Sequence, residues 1–172
     1  MRRAIIFLAL VPWVFGQALP DHKLTPGVVC PTVTVADLSS PAFIREARVH
    51  GTKDGEKITD VVKAMVYTEY GIISHVTGQY EIDHLVSIEL GGSNDIRNLW
   101  PQPYAGPWNA HQKDRLENEL HRRVLAGKMA LTEAQAKIAT DWVALYQAIF
   151  PADVIGGSPK SVAAQPNSEP DL

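Results

Sequence analysis

Apolar residues run almost unbroken from Ala4 to Phe15 (AIIFLALVPWVF), behind Arg2 and Arg3 and ahead of Gly16-Gln17-Ala18. A positive start, an apolar stretch and small residues at a cleavage site are the layout of a secretory signal. Twelve apolar residues are too few to span about 30 Å of hydrocarbon as a helix, so a membrane anchor is the weaker expectation. Residues 1–18 are expected to be removed on export. The mature protein is then secreted or periplasmic, with no stable membrane association.

Past the leader the patterning is mixed. Residues 19–56 are rich in breakers (Pro20, Pro26-Gly27, Pro31, Pro41, Gly51, Gly55) and read as an irregular arm with a short strand at Val28–Val35. Over Ile58–Tyr70 the spacing of Val62, Met65, Val66 and Tyr70 predicts a helix, with Thr59 or Asp60 capping its start and Gly71 ending it. Tyr80–Leu90 has strand character, Val86 and Ile88 sharing a face with His84, and Gly91-Gly92 closes it. Asn98–Gln102 is a second short extended piece. Leu116, Leu120 and Val124 recur every four residues and predict a helix over Ala110–Ala126, with Gly127 beyond its end. A third helix is expected over Glu133–Phe150, with a Thr132/Gln135 capping box, an apolar stripe of Ile138, Trp142, Leu145, Tyr146 and Ile149, and Pro151 as its stop. Residues 152–172 read as a disordered tail with too little apolar area to offset ordering entropy. There is no internal repeat.

Composition narrows the picture. A chain of 172 residues with 45% apolar side chains fits one domain and buries an adequate core without a staple. The single cysteine, Cys30, excludes an internal disulfide framework and a Cys-rich zinc knuckle. No G-x-S-x-G elbow is present, which argues against a serine hydrolase. Net charge is −3, and loss of Arg2 and Arg3 leaves 14 Lys and Arg against 19 Asp and Glu, a net −5. Such a chain does not capture nucleic acid by bulk charge. It needs a local basic site or a metal ion.

Candidate chemistry concentrates between Tyr80 and Glu117. Asp83-His84 pairs an oxygen ligand suited to a hard cation with an imidazole able to take a proton from water. Adjacent strand residues point to opposite faces, so the two act together only if the strand ends there. A hydrogen-bonded surface or core pair is the commoner meaning of Asp-His alone. Asn98 can brace the loop that holds His84, or simply make an Asx-turn. Ala110, Asp114, Glu117 and His121 form a polar stripe beside the apolar one, the ordinary border of an amphipathic helix. Read functionally, the start of that helix, with Asn109 and His111, faces a metal on Asp83, and Lys113 and Arg115 are the phosphate contacts.

The run YEIDHLVSIELGGSNDIRNLWPQPY followed by WNAHQKDRLENEL resembles the HNH endonuclease superfamily. More narrowly it resembles a group of small exported bacterial proteins with an Asp-His…Leu-Gly-Gly…Asn-Leu-Trp-Pro core and a Lys-Asp-x-x-Glu helix. That likeness runs from about Leu24 to Tyr146, and the superfamily motif covers about residues 80–117. The resemblance implies an α+β fold: a ββα-metal core with a short two-stranded hairpin, packed by additional long helices, within a nuclease domain at 57–151. It implies a phosphodiesterase reaction on DNA or RNA, with His84 as general base, Asn98 orienting it, and Asp83 holding one divalent cation (Mg²⁺ or Mn²⁺, with Zn²⁺ possible). The last ligand of the motif falls on Ala110, which has no donor. Asn109 and His111 flank it, and His111 is preferred because neutral imidazole is the stronger ligand. A reading from another class stays open: a non-catalytic exported binding module on the same scaffold, favoured by the net −5 and by Ala110.

Overall fold

A computed structural model of the chain describes residues 20–50, 57–155 and 158–159. The expected leader, residues 1–18, and most of the tail after Ala152 lie outside the described residues. Among those described the architecture is α+β: helices α1 (Val35–Leu38), α2 (Pro41–His50) and α3 (Asp60–Glu69), then strand β1 (Tyr80–His84), strand β2 (Leu99–Pro103), and helices α4 (Ala110–Leu125) and α5 (Leu131–Ile149). A second small ladder pairs β3 (Val154–Ile155) with β4 (Ser158–Pro159). No helix among the described residues is long and apolar enough to cross a membrane.

β1 and β2 form an antiparallel hairpin in which Asp83 lies opposite Trp100 and His84 opposite Leu99. Pro101 and Pro103 sit in β2 without breaking it. They alternate with Trp100 and Gln102, and the next even-numbered amide, Tyr104 N–H, donates toward β1 to Gln79 O (3.2 Å). The missing proline donors therefore fall on the edge facing away from β1. The core lies between the hairpin, α4 and α5. Leu85, Val86, Leu90 and Trp100 meet Leu116, Leu120 and Val124 of α4 and Ala134, Ile138, Trp142 and Tyr146 of α5. The four-residue spacing on α4 thus buries the residues expected from the pattern.

Several expectations are corrected. The strand predicted over Tyr80–Leu90 ends at His84, and Ile88–Leu90 forms a 3₁₀ turn that buries Ile88 and Leu90. The arm is not irregular with a strand at Val28–Val35. Only Val29 makes a bridge, to Gly92, and Thr34 then caps α1 by accepting from Asp37 N–H (3.3 Å). The Thr132/Gln135 capping box is absent: α5 starts two residues earlier, and Gln135 donates Nε2 to Leu90 O (2.8 Å), so a tertiary acceptor wins over a local one. α5 is also interrupted at Asp141, whose carboxylate accepts from Ala144 N–H (2.9 Å) and restarts the helix. At the start of the expected tail, Pro151–Asp153 forms a 3₁₀ turn leading into β3. α3 agrees with its pattern: Thr59 caps it by accepting from Val62 N–H, and Gly71 follows with positive φ.

The turn after β1 depends on two glycines. Gly91 has φ +75°, a conformation a Cβ resists. Gly92 has no room for one, since a Cβ there would lie 1.7 Å from Val86 O. We expect Gly92→Ala to cost more than about 3 kcal/mol, beyond ordinary overpacking, because its neighbour is backbone and cannot turn aside. Urea unfolding measures this, and a cost below 1 kcal/mol would show that the loop is not held as described.

Candidate functional site

Helix α4 brings charged groups to the back of the hairpin. Asn109 accepts from His111 N–H (3.0 Å) and Gln112 reaches back to Asn109 N–H (3.1 Å), a reciprocal cap that fixes where the helix begins. Trp108, just before it, adopts φ 59° and is packed edge-on against Trp142 and Tyr146. That conformation costs about 1–2 kcal/mol in a residue with a Cβ. The aromatic contacts offset it.

One turn into α4, Lys113 is fully buried. Its Nζ donates to Asp83 Oδ2 (2.6 Å), to the His84 carbonyl (2.6 Å) and to Glu117 Oε1. Burial alone would lower the ammonium, but the charges of Asp83 and Glu117 outweigh it and hold Lys113 above the ordinary lysine range. Glu117 is pushed up, first by burial and then by Asp83 and Asp114, with Lys113 pulling the other way. Asp114 is half-buried, and its side chain makes no hydrogen bond or ion pair among the described residues. Burial, and after it the charge of Asp83, raise it to about 6. Two carboxylates thus grip one buried ammonium, and a third, Asp114, stands near enough for its charge to act on them.

His84 closes β1 and turns the other way. Its Nε2 lies 2.7 Å from Asn94 Oδ1. Burial lowers its pKa below the ordinary histidine value, with Asp83 only partly opposing, so the ring is neutral at pH 7. The loop from β1 to β2 is pinned by Asn98, itself fully buried. Asn98 Oδ1 accepts from Val86 N–H (3.0 Å), its Nδ2 donates to Val86 O (2.9 Å) and Ser93 O (2.8 Å), and its carbonyl accepts from Leu85 N–H (2.7 Å). The side chain answers three buried backbone groups that the turn would otherwise leave unpaired.

The expected site residues are placed as follows. Asp83 and His84 stand at the strand end but leave opposite faces, and Lys113 links them through the carboxylate of one and the carbonyl of the other. Asn98 braces the loop, and its side-chain hydrogen bonds go to the backbone of Val86 and Ser93 and not to the imidazole. Asn94, two residues past Gly-Gly, does. Asn109 is spent on the helix cap and on Gly106 O (2.9 Å), which removes it from a ligand set. His111 is half-buried on the turn before Asp114, close enough for its charge to act on that carboxyl. Lys113 cannot meet a phosphate from solvent, because it is enclosed. Arg115 points away from the cluster: its guanidinium pairs with Asp153 and lies 4.2 Å from the Phe150 ring centre. Its position, two residues from Lys113 on a helix of 3.6 residues per turn, dictates this. Among the described residues, no group of three or more His, Cys, Asp and Glu side chains is arranged to hold a metal ion.

The comparisons add no relative. No protein-family model matches the chain, and neither a curated protein nor a solved structure is significantly similar to it.

Two outcomes test the cluster. Lys113→Met leaves Asp83 and Glu117 buried without a counter-charge and is expected to cost about 3–5 kcal/mol near neutral pH in denaturant unfolding, against little change if the ammonium were solvated. Asp114 has a folded-state pKa of about 6 against an ordinary 3.8, so the folded protein holds a proton that the unfolded chain has released between those values. Its contribution to stability is full below about pH 4 and lost as pH rises through about 6. Asp114→Asn in chelating buffer should therefore raise Tm near pH 7.5 and leave it unchanged near pH 3.5. An equal shift at both would overturn this description of Asp114.

Proposed function

We propose that the chain is an exported HNH-type endonuclease that hydrolyses phosphodiester bonds in DNA or RNA with the help of a divalent cation. The observation that carries this reading is the placement of His84. A neutral imidazole ends a strand, is half-buried, has one nitrogen bonded to Asn94, and sits in a loop pinned by a buried asparagine. A hairpin followed by a packed helix, with Asp83 next to His84 in the chain and joined to it through Lys113, supports a ββα-metal core. The Met1–Ala18 pattern supports export.

A hard cation fits the donors present. Asp83 keeps Oδ1 clear of Lys113, and Asp114 repels Asp83 across the same space with no partner of its own. Magnesium-type sites use one or two carboxylates and leave the remaining positions to water and substrate phosphate, so no cage of three side chains is required. Asp83 and Asp114 would hold it, with His111 nearest on the helix. When bound, Mg²⁺, Mn²⁺ or Zn²⁺ neutralises charge on the phosphate and on the leaving oxygen.

His84 performs the proton transfer. The neutral ring accepts a proton from water as the water oxygen bonds to phosphorus, and the bond from phosphorus to the 3′ oxygen breaks. Lys113 orients Asp83 through a hydrogen bond and fixes the His84 backbone through its carbonyl, so the base is held by both side chain and main chain. Neither Lys113 nor Arg115 contacts the phosphate in this reading.

A second reading, a non-catalytic binding module on the same scaffold, is favoured by Ala110, which is buried where the motif would supply a ligand. Cleavage of plasmid DNA and of RNA by the purified chain with Mg²⁺ or Mn²⁺ separates the two. His84→Ala is expected to lower the rate by about 10²–10⁴ while preserving the melting curve. Equal cleavage by His84→Ala sinks the assignment. No cleavage by the wild type, together with no stoichiometric heat on titration with Mn²⁺, favours the binding module.

A further inference from the structure

Asn94 is 7% exposed and presents its Oδ1 to His84 Nε2 at 2.7 Å. An amide oxygen only accepts, so Nε2 must be the protonated nitrogen of the neutral ring. The lone pair then resides on Nδ1, which makes no hydrogen bond among the described residues. Asn94 is well placed to enforce this, because the segment that carries it is held on several sides. Ser93 N–H donates to Val28 O (3.0 Å), Cys30 N–H donates to Gly91 O (2.8 Å), and Asn98 Nδ2 donates to Ser93 O (2.8 Å). Asp95 N–H donates to Ser93 Oγ (3.1 Å) on the other side. The arm and Asn98 therefore grip the residue before Asn94, while the Asn94 side chain is left for the imidazole.

We propose that Asn94 is the positioning residue of His84: its side-chain oxygen selects the Nε2-protonated tautomer and leaves Nδ1 as the nitrogen that accepts a proton. An imidazole without such a partner divides between two tautomers and rotates, presenting the wrong atom part of the time. The bond to Asn94 removes both freedoms. Asn98 cannot do the same work, since its side-chain amide is committed to Val86 and Ser93. The tautomer follows from the Asn94 amide presenting its oxygen to a neutral ring, whereas the use of Nδ1 as a base rests on the phosphodiesterase reading above.

The test uses the full mature chain labelled with ¹⁵N in histidine. Long-range proton–nitrogen correlation spectra near neutral pH distinguish a protonated ring nitrogen from one bearing a lone pair. In the wild type we expect the His84 pattern with Nε2 protonated. Asn94→Leu removes the acceptor at similar volume and should give the averaged pattern of a mobile ring. It should also lower kcat by about 10²-fold, the usual scale for a misplaced catalytic group, with KM nearly unchanged. Asn94→Asp keeps an oxygen acceptor and should restore the Nε2-protonated pattern and most of kcat. A wild-type ring protonated on Nδ1, or His84 signals that do not change in Asn94→Leu, overturns the proposal. If Asn94→Leu fails to fold, the wild-type and Asn94→Asp spectra still decide it. An Nε2-protonated ring in a chain that cleaves no nucleic acid upholds Asn94 and sinks the phosphodiesterase reading instead.

Discussion

One buried ammonium ties the hairpin to the helix behind it. Among the described residues Lys113 is the only cation that hydrogen-bonds Asp83 and Glu117, and it also holds the main-chain carbonyl of His84. Burying a lysine costs several kcal/mol unless every proton finds an oxygen, and here all three do. The arrangement therefore constrains more than it stabilises. It fixes the register of α4 against β1, because a shift of one helix residue would swing the ammonium out of reach. It also fixes the end of β1, since the strand's last carbonyl is one of the three acceptors. The carboxylates near Lys113 outnumber it, which leaves that side of the strand end negative.

A second polar element works on the other face of the strand end. Asn98 supplies a turn's worth of hydrogen bonds from one side chain, so the loop between the strands can bury its backbone without a regular ladder. Gly92 permits the approach that those bonds require, and the arm closes over the loop through Val28 and Cys30. The result is a rigid cradle in which Asn94 meets the imidazole. A loop held this way costs conformational entropy, and the buried aliphatic and aromatic core under it offsets that cost.

Much of the helical part was legible from spacing. Leu116, Leu120 and Val124 predict α4 to within a residue, because an amphipathic stripe three turns long has no other way to bury itself. Thr59 and Gly71 bracket α3 for reasons local to the chain. The hairpin is legible in part: both extended segments stand out in the pattern, but the first reads longer than the strand that forms. Val86, Ile88 and Leu90 alternate as strand residues do, yet Val86 is buried in a bend and Ile88 and Leu90 in a 3₁₀ turn, and alternation cannot tell these from a strand when both hide the same side chains. The helices of the arm are hidden for a different reason. Its prolines and glycines look like breakers, whereas Pro41 opens α2 and Thr34 caps α1. Capping at α5 failed because Gln135 found a distant carbonyl.

Asp83, His84 and Asn98 stand out in the sequence by their types and order, and the chain alone determined that a carboxylate and an imidazole would follow one another at the end of an extended segment ahead of a helix. Which groups they face was decided only by packing. Lys113 looks like a surface phosphate contact until the helix is docked, and then its position, four residues from Glu117 on the buried side, puts it inside. Asn94 looks like a turn residue until the loop closes and carries it to the ring. Sequence spacing fixes directions along one element, but an ammonium or an amide chooses its partner among elements. That choice is made by the burial that leaves it no water to bond instead.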